Sequence, residues 1–361
     1  MSMELRRFDI VKDDIAEQRE LFSTCFPETN GTWSAGAGYH RWKFLSADPL
    51  ELGSPSFEYG AWIDGRLVGY YGVIPVRYKI RDVVCTAGLV CDVMTDPNQQ
   101  GKGVFTALGQ YATDDLMHVG LDFTTGYPIR PEVLPGHLKV GWKVAFDLPI
   151  YVSPVGAKSL LVRWGMPPWA GAPVSWVSRI ADRVLSGRLS GRYSIDINPI
   201  DALYDAEVLR FLKCWEESQI NTLLRSENFL LWRLGGRDRN YEVVIAREAG
   251  EIVGVSLVRE SKYSSINILA ILDIWILPDC QDAGSVIGLE LRKLCINRSL
   301  DAVVIMSSTT TFRKSGLGKA LFIKTPIKYK LIIKHLSKIV TLDQLTDVDA
   351  WHLSWLDSDN L

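Results

Sequence analysis

The stretch Asp96-Pro97-Asn98-Gln99-Gln100-Gly101-Lys102-Gly103-Val104-Phe105 constrains this chain more than any other, because of what flanks it. An apolar strand, Leu89 to Met94, runs into it, and Val104, Leu108, Tyr111, Ala112 and Leu116 follow at helical spacing. A strand that passes through a two-glycine turn into a helix aims backbone N–H groups at one point. The helix adds its unpaired N-terminal donors and the positive end of its dipole. A diphosphate suits such a turn. It is neither a P-loop, which needs G-x-x-x-x-G-K followed by Ser or Thr, nor the G-x-G-x-x-G fingerprint of a dinucleotide fold.

The residues around the turn predict its frame. Lys12-Asp13-Asp14 offers carboxylates to the start of a helix running to about Cys25. Phe57 to Trp62 and Arg66 to Val73 are strand-like runs split by the hairpin signal Asp64-Gly65, and Val76 to Ile80 with Val83 to Met94 repeats the pattern. An antiparallel meander therefore precedes the turn. Beyond the helix, Leu121 to Thr125 is a short strand, so the helix crosses between two strands.

The same plan recurs later in the chain. Asp64-Gly65-Arg66-Leu67-Val68-Gly69 resembles Ala249-Gly250-Glu251-Ile252-Val253-Gly254, Cys91-Asp92-Val93 through Pro97 resembles Leu272-Asp273-Ile274 through Pro278, and Lys139-Val140-Gly141 resembles Lys314-Ser315-Gly316. The matches keep their order while their spacing drifts slowly, as loop-length changes between two copies would produce. Domains at 1–155 and 193–361 follow, joined by a linker over 156–192. In it Trp176, Ile180 and Val184 opposite Arg179 and Arg183 predict one amphipathic helix. In the second copy Pro278-Asp279-Cys280-Gln281-Asp282-Ala283-Gly284 lacks the two-glycine turn and puts acids where an anion would bind.

Composition excludes other classes. Hydrophobic residues make up 47% and charged residues 23%, so the chain is globular rather than disordered. A net charge of −2 removes a bulk electrostatic case for coating nucleic acid or anionic membrane. Six scattered cysteines, without a C-x-x-C pair or zinc spacing, read as reduced thiols, and no metal is expected. Acidic residues interrupt the N-terminus before any run of signal-peptide length, and no stretch is long and apolar enough to span a bilayer as a helix. A cytoplasmic protein is expected.

Gln100-Gly101-Lys102-Gly103-Val104-Phe105, set between that strand and that helix, resembles the Q/R-x-x-G-x-G/A turn of the GNAT superfamily of N-acetyltransferases. Phe105 stands where the family usually has Gly or Ala. The resemblance covers residues 1 to about 155 and implies an α/β (α+β) fold of two tandem GNAT-like domains, each a mixed, mostly antiparallel sheet flanked by helices, the second degenerate. It also implies that acetyl-CoA or another acyl-CoA is the co-substrate. Val93, Met94 and Thr95 would lie along its thioester arm, and Gln100, Gly101, Lys102, Gly103, Val104 and Phe105 would cradle its diphosphate.

His137-Leu138-Lys139-Val140-Gly141-Trp142 resembles the family's Y-x-x-x-G-F element, with His137 in place of the tyrosine that protonates the departing thiolate. That makes His137 the expected general acid or sulfur-side hydrogen-bond donor, with a helix histidine that packs or caps as the competing reading. Asp92 is the expected general base, and N–H groups around Val93 and Met94 the expected oxyanion donors. A structural aspartate is the competing reading, since Asp273 holds the matching place in the second copy.

Tyr39-His40-Arg41-Trp42-Lys43-Phe44, Asp48-Pro49, Gly126-Tyr127-Pro128 and Pro135-Gly136-His137 resemble tandem GNAT-type acyltransferases of bacterial surface-polysaccharide synthesis, some of which acylate nucleotide-linked amino sugars. Ile129 departs from that pattern, standing where an Asn is common. The resemblance implies a small-molecule amine acceptor, with Tyr127, Arg130 and Glu132 lining its side. Two alternatives stay open: a non-catalytic acyl-CoA-binding or partner-binding protein, and a Fem-like aminoacyl-tRNA-dependent transferase.

Overall fold

Short polar turns, Asp64-Gly65 first among them, fold the apolar runs back on one another, and helices cover the resulting sheets. The computed structural model describes residues 2–9, 13–155, 191–236, 240–263 and 266–359. The expected linker helix around Trp176 lies outside them. In chain order the first elements are β1 (Met3–Arg7), α1 (Ile15–Cys25), α2 (Ala37–His40), β2 (Phe57–Ile63), β3 (Arg66–Ile80), β4 (Val83–Thr95), α3 (Val104–Val119), β5 (Phe123–Gly126), α4 (Leu134–Lys139) and β6 (Lys143–Pro154). Then come β7 (Tyr193–Pro199), α5 (Ala206–Ser218), β8 (Asn221–Leu223), α6 (Glu227–Leu234), β9 (Tyr241–Glu248), β10 (Glu251–Tyr263) and β11 (Ile266–Ile276). The last are α7 (Gln281–Asn297), β12 (Ala302–Met306), α8 (Thr309–Lys314), β13 (Ile323–His335), α9 (Leu342–Thr346) and β14 (Trp351–His352).

The chain divides into two compact units. The first comprises Met1–Phe146, Asn221–Asp238 and Lys330–Asp347. Its strands β1 to β4 pair antiparallel in sequence, and β5 lies parallel to β4 after the α3 crossover. Beside β5, antiparallel to it, lies Ile332–His335, a segment from late in the chain. Alternation along the strands separates two faces. Tyr59, Ala61, Tyr71, Val73 and Val90 pack with Val104, Leu108, Ala112 and Leu116 of α3 in one core. Tyr70, one residue out of phase, meets Phe8 and Phe44 on the other side.

The second unit comprises Asp147–Ile220, Arg239–Tyr329 and Val348–Leu361. It has the same order of elements: β9, β10 and β11 pair antiparallel, α7 crosses, and β12 lies parallel to β11. Ile150–Pro154 pairs antiparallel with β12, and β7 is the edge strand beside β9. Its core packs Val286, Ile287, Leu289 and Leu291 of α7 against Val244, Leu269, Ile271 and Val303. Both units are mixed, mostly antiparallel sheets flanked by helices. Neither is continuous in sequence, so their limits fall elsewhere than at 155 and 193: Asp147–Pro154 goes with the second unit and Asn221–Asp238 with the first.

Candidate active site

The end of β4 is irregular where the sequence places the acyl-carrying arm. Tyr70 pairs with Met94 and Gly72 with Cys91, so Asp92 and Val93 together face the single residue Tyr71. This is a β-bulge, which interrupts the ladder and turns side chains off the regular alternation. Asp92 takes a left-handed conformation there, with φ of 49°. Beyond the bulge, Asp96 Oδ1 accepts from the Asn98 N–H at 2.8 Å and closes a short turn over Pro97–Gln99.

Gly101 and Gly103 follow at φ of 77° and 85°, with nothing within 4 Å of where a Cβ would stand on either. The left-handed conformation explains the glycines, because an L side chain there costs about 1–2 kcal/mol. Gly103 begins α3 with no side-chain cap, and the helix has no acid in its first turn. These amides therefore keep their donors for an external acceptor, and the donor set fits a diphosphate.

The matching place in the second unit is closed by backbone. A Cβ on Gly284 would stand 1.7 Å from Ser315 O, one on Gly316 would stand 2.0 Å from Gln281 O, and Asp282 pairs with Lys319 at 2.6 Å. Packing and acidic charge both leave that helix start unsuited to a diphosphate.

On the sheet face carrying α1 and α2, the bulge meets a cluster of buried polar side chains. The helix of α2 widens into a π-turn over Arg41–Leu45 that brings Lys43 inward. Lys43 Nζ stands 2.8 Å from Asp92 Oδ1 and donates to the Tyr39 hydroxyl at 3.2 Å. Asp92 Oδ2 is buried without a hydrogen-bond partner. Glu58 on β2 accepts from His40 Nε2 at 2.6 Å, from the Tyr70 hydroxyl, and from Ser56 Oγ at 3.2 Å. Burial, and then the Glu58 charge, hold the Tyr70 hydroxyl well above its ordinary pKa, so it stays a donor. Arg19 on α1 bonds Gln18 Oε1 at 2.5 Å and Ser34 O at 3.2 Å. Desolvation pulls its guanidinium below the usual value, and Asp92 is the charge that most opposes this.

His137 lies on the opposite face. It is buried in α4, with its ring centroid 5.0 Å from those of Phe105 and Trp142 and 6.4 Å from that of Tyr71. Desolvation pushes its pKa down to about 4. Nδ1 lies 3.2 Å from Val133 O, which can only accept, so Nδ1 carries the proton and Nε2 a lone pair. To donate from Nε2 to a departing thiolate, this ring would first need a second proton. Phe105 fits in the first turn of α3 because Gly136 lacks a side chain: a Cβ there would stand 2.6 Å from the Phe105 ring.

Of the residues expected on the acceptor side, Tyr127 is buried just after β5 and Glu132 is exposed in a short turn. Arg130 is engaged by Glu28 Oε1 at 2.6 Å and Cys25 O at 2.8 Å. The turn and Asp92 are the residues the sequence singles out; Arg19, Glu58 and Lys43, which the fold brings to the same face as Asp92, carry no such mark. The available signal was a charged residue inside an apolar run, as with Glu58 in Phe57-Glu58-Tyr59-Gly60-Ala61-Trp62.

Among the described residues, no group of three or more His, Cys, Asp or Glu is placed to hold a metal ion. No described helix is long and apolar enough to cross a membrane. No curated protein sequence matches the chain.

The chain resembles the crystal structure of a GCN5-related N-acetyltransferase from Anabaena variabilis, at 11% identity and a TM-score of 0.63, over 93% of this chain and 73% of that one. A conserved protein of unknown function from Enterococcus faecalis, described as a probable N-acyltransferase, gives 14% and 0.62 over the same shares. Saccharomyces cerevisiae N-myristoyltransferase with bound myristoyl-CoA gives 12% and 0.59, over 92% of this chain and 79% of that one. At these identities the likeness is one of fold. Residues 8–145 match the family model of the Acetyltransferase (GNAT) domain, and that stretch holds the bulged strand, the open glycine turn and the following helix.

Proposed function

We propose that the protein transfers an acetyl or other short acyl group from acyl-CoA directly to a primary amine of a small molecule, in the cytoplasm. The observation that carries this reading is the pair of open left-handed glycines, Gly101 and Gly103, leading from the β4 bulge into an uncapped helix. Acyl-CoA supplies the activated thioester. The turn of Gln100, Gly101, Lys102 and Gly103 and the first residues of α3, Val104 and Phe105, hold its diphosphate, the Gln100 and Lys102 amides being turned to Pro97 O and Gln99 O within the turn. The interrupted ladder at Val93, Met94 and Thr95 receives its arm and polarises the acyl carbonyl. Asp92 Oδ2 takes a proton from the incoming ammonium, which frees the nitrogen lone pair to form the C–N bond as the C–S bond breaks. His137 remains the candidate to meet the sulfur side.

The recurrence of one element order in both units supports a tandem repeat whose second copy has lost the coenzyme turn. The sequence resemblance favours a nucleotide-linked amino sugar as acceptor. Thiol release from a series of acyl-CoAs, with and without candidate amines, tests the reading. Amine-dependent release supports it. Calorimetric binding of acyl-CoA without release under any amine would make the chain a binding protein, and the absence of binding would remove the coenzyme site altogether.

A further inference from the structure

Among the described residues, the buried side-chain atoms without a hydrogen-bond partner include four on α1, α2 and the β4 bulge: Gln18 Nε2, Arg19 Nη2, His40 Nδ1 and Asp92 Oδ2. A buried polar atom left unpaired costs about 1–3 kcal/mol, so such atoms cluster where a polar ligand belongs. The four divide by chemistry. Gln18 and Arg19 are neighbours on α1, tied by the bond from Arg19 Nε to Gln18 Oε1, and offer two donors, one of them charged. Asp92 Oδ2 can only accept. His40 donates through Nε2 to Glu58, so in the neutral ring Nδ1 also accepts.

The two charged members act on each other without a hydrogen bond between them. Asp92 is the carboxylate acting most strongly on Arg19, yet Arg19 Nη2 and Asp92 Oδ2 each remain unpaired. A group joining them must present acceptors to α1 and donors to the bulge. A sugar hydroxyl would leave Arg19 without a bonded carboxylate in a desolvated place, its present partners being the neutral Gln18 Oε1 and Ser34 O. A zwitterion satisfies both ends at no change in net charge, and two carboxylate oxygens match two donors.

We infer that the acceptor amine carries a carboxylate a short distance from its nitrogen, bound through Arg19 and Gln18 while the nitrogen lies against Asp92. This rests on the acyltransferase reading and narrows its acceptor to amino acids or carboxylated amino sugars. The transfer itself is as written above: the C–N bond forms, the C–S bond breaks, Asp92 takes one ammonium proton, and the departing thiolate takes the proton that the amide nitrogen loses.

The test is thiol release by the full chain from acetyl-CoA, comparing amino acids with their primary amides and a carboxylated amino sugar with its neutral counterpart. We expect kcat/KM for the acid to exceed that for the amide by about 10- to 100-fold, the worth of a charge-assisted hydrogen bond or two. The arm with the higher rate identifies the source. In Arg19→Met the ratio should collapse toward one, and in Arg19→Lys it should recover in part. Equal rates for acid and amide in the unaltered protein, or a preference for neutral amino sugars, would overturn the inference even if the variants fail to fold. Both cases leave the acyltransferase reading standing. Acyl-CoA bound but released by no amine would overturn both.

Discussion

Lys43 grips one oxygen of Asp92 and leaves the other bare. Its Nζ stands 2.8 Å from Oδ1, the two side chains are 3% and 7% exposed, and Oδ2 has no partner. A buried pair is costly to break from one side, because the remaining charge keeps its desolvation penalty. Lys43→Met should therefore destabilise the fold by about 3–5 kcal/mol. The double variant Lys43→Met/Asp92→Asn should lose less, since no bare charge remains. Urea unfolding of the single and double variants checks this, and a double variant that unfolds before Lys43→Met would contradict it.

Asp92→Asn keeps the shape of the bulge and removes the basic oxygen. The expected outcome is a kcat reduced by about 10²- to 10⁴-fold, the usual range for a positioned base. Acyl-CoA affinity should stay within about twofold, because the turn binds through backbone amides that do not involve this carboxylate. Single-turnover rates beside calorimetric titration separate the two effects, and an unchanged kcat would return Asp92 to a structural role.

Gly103→Asp puts a carboxylate at the N-cap of α3, where the side chain has open space but the backbone has φ of 85°. Strain should cost about 1–2 kcal/mol of stability. The negative charge should weaken acyl-CoA binding by about tenfold or more through repulsion of the diphosphate and occupation of its donors. Thermal unfolding and calorimetry read these separately, and an unchanged dissociation constant would place the diphosphate elsewhere.

Phe105 and Gly136 are fitted to each other, since a Cβ at residue 136 would lie 2.6 Å from the ring. Gly136→Ala should cost about 1–3 kcal/mol as an overpacking change. Combined with Phe105→Ala the cost of the alanine should largely vanish, a coupling that a double-mutant cycle on denaturant midpoints would detect. Additive losses would mean that the two residues do not share the space.

What the sequence disclosed were features written locally. The hairpin at Asp64-Gly65, the long apolar strand before the turn and the helix after it are set by neighbours a few residues apart, and each forms close to where periodicity placed it. The polar cluster depends on partners far apart in sequence: Lys43 and Asp92 are separated by 49 residues, Glu58 and His40 by 18. Nothing local in Lys43 says that it turns inward, since that depends on the π-turn over Arg41–Leu45. The limits of the units were hidden for a related reason. Ile150–Pro154 and Ile332–His335 are strands whose partners lie far away in the chain, and only pairing decides which strand each one joins. His137 resembled a catalytic residue by its place in a motif, but the rings of Tyr71, Phe105 and Trp142 determine its protonation.

That determination has a consequence for acid stability. Burial lowers the His137 pKa from 6.5 to about 4, so the unfolded chain binds a proton here before the folded chain does. This contribution to stability is complete above pH 6.5 and is lost as pH falls through the interval down to about 4. The loss there reaches about 3 kcal/mol. Replacing His137 by Phe removes the titrating group while keeping a ring among its aromatic neighbours. Denaturant unfolding measured between pH 7 and pH 4.5 should show a shallower fall in stability for the variant than for the unaltered protein. Equal slopes would mean that the imidazole reaches solvent and protonates in the folded state, which would restore His137 as a proton donor to the sulfur.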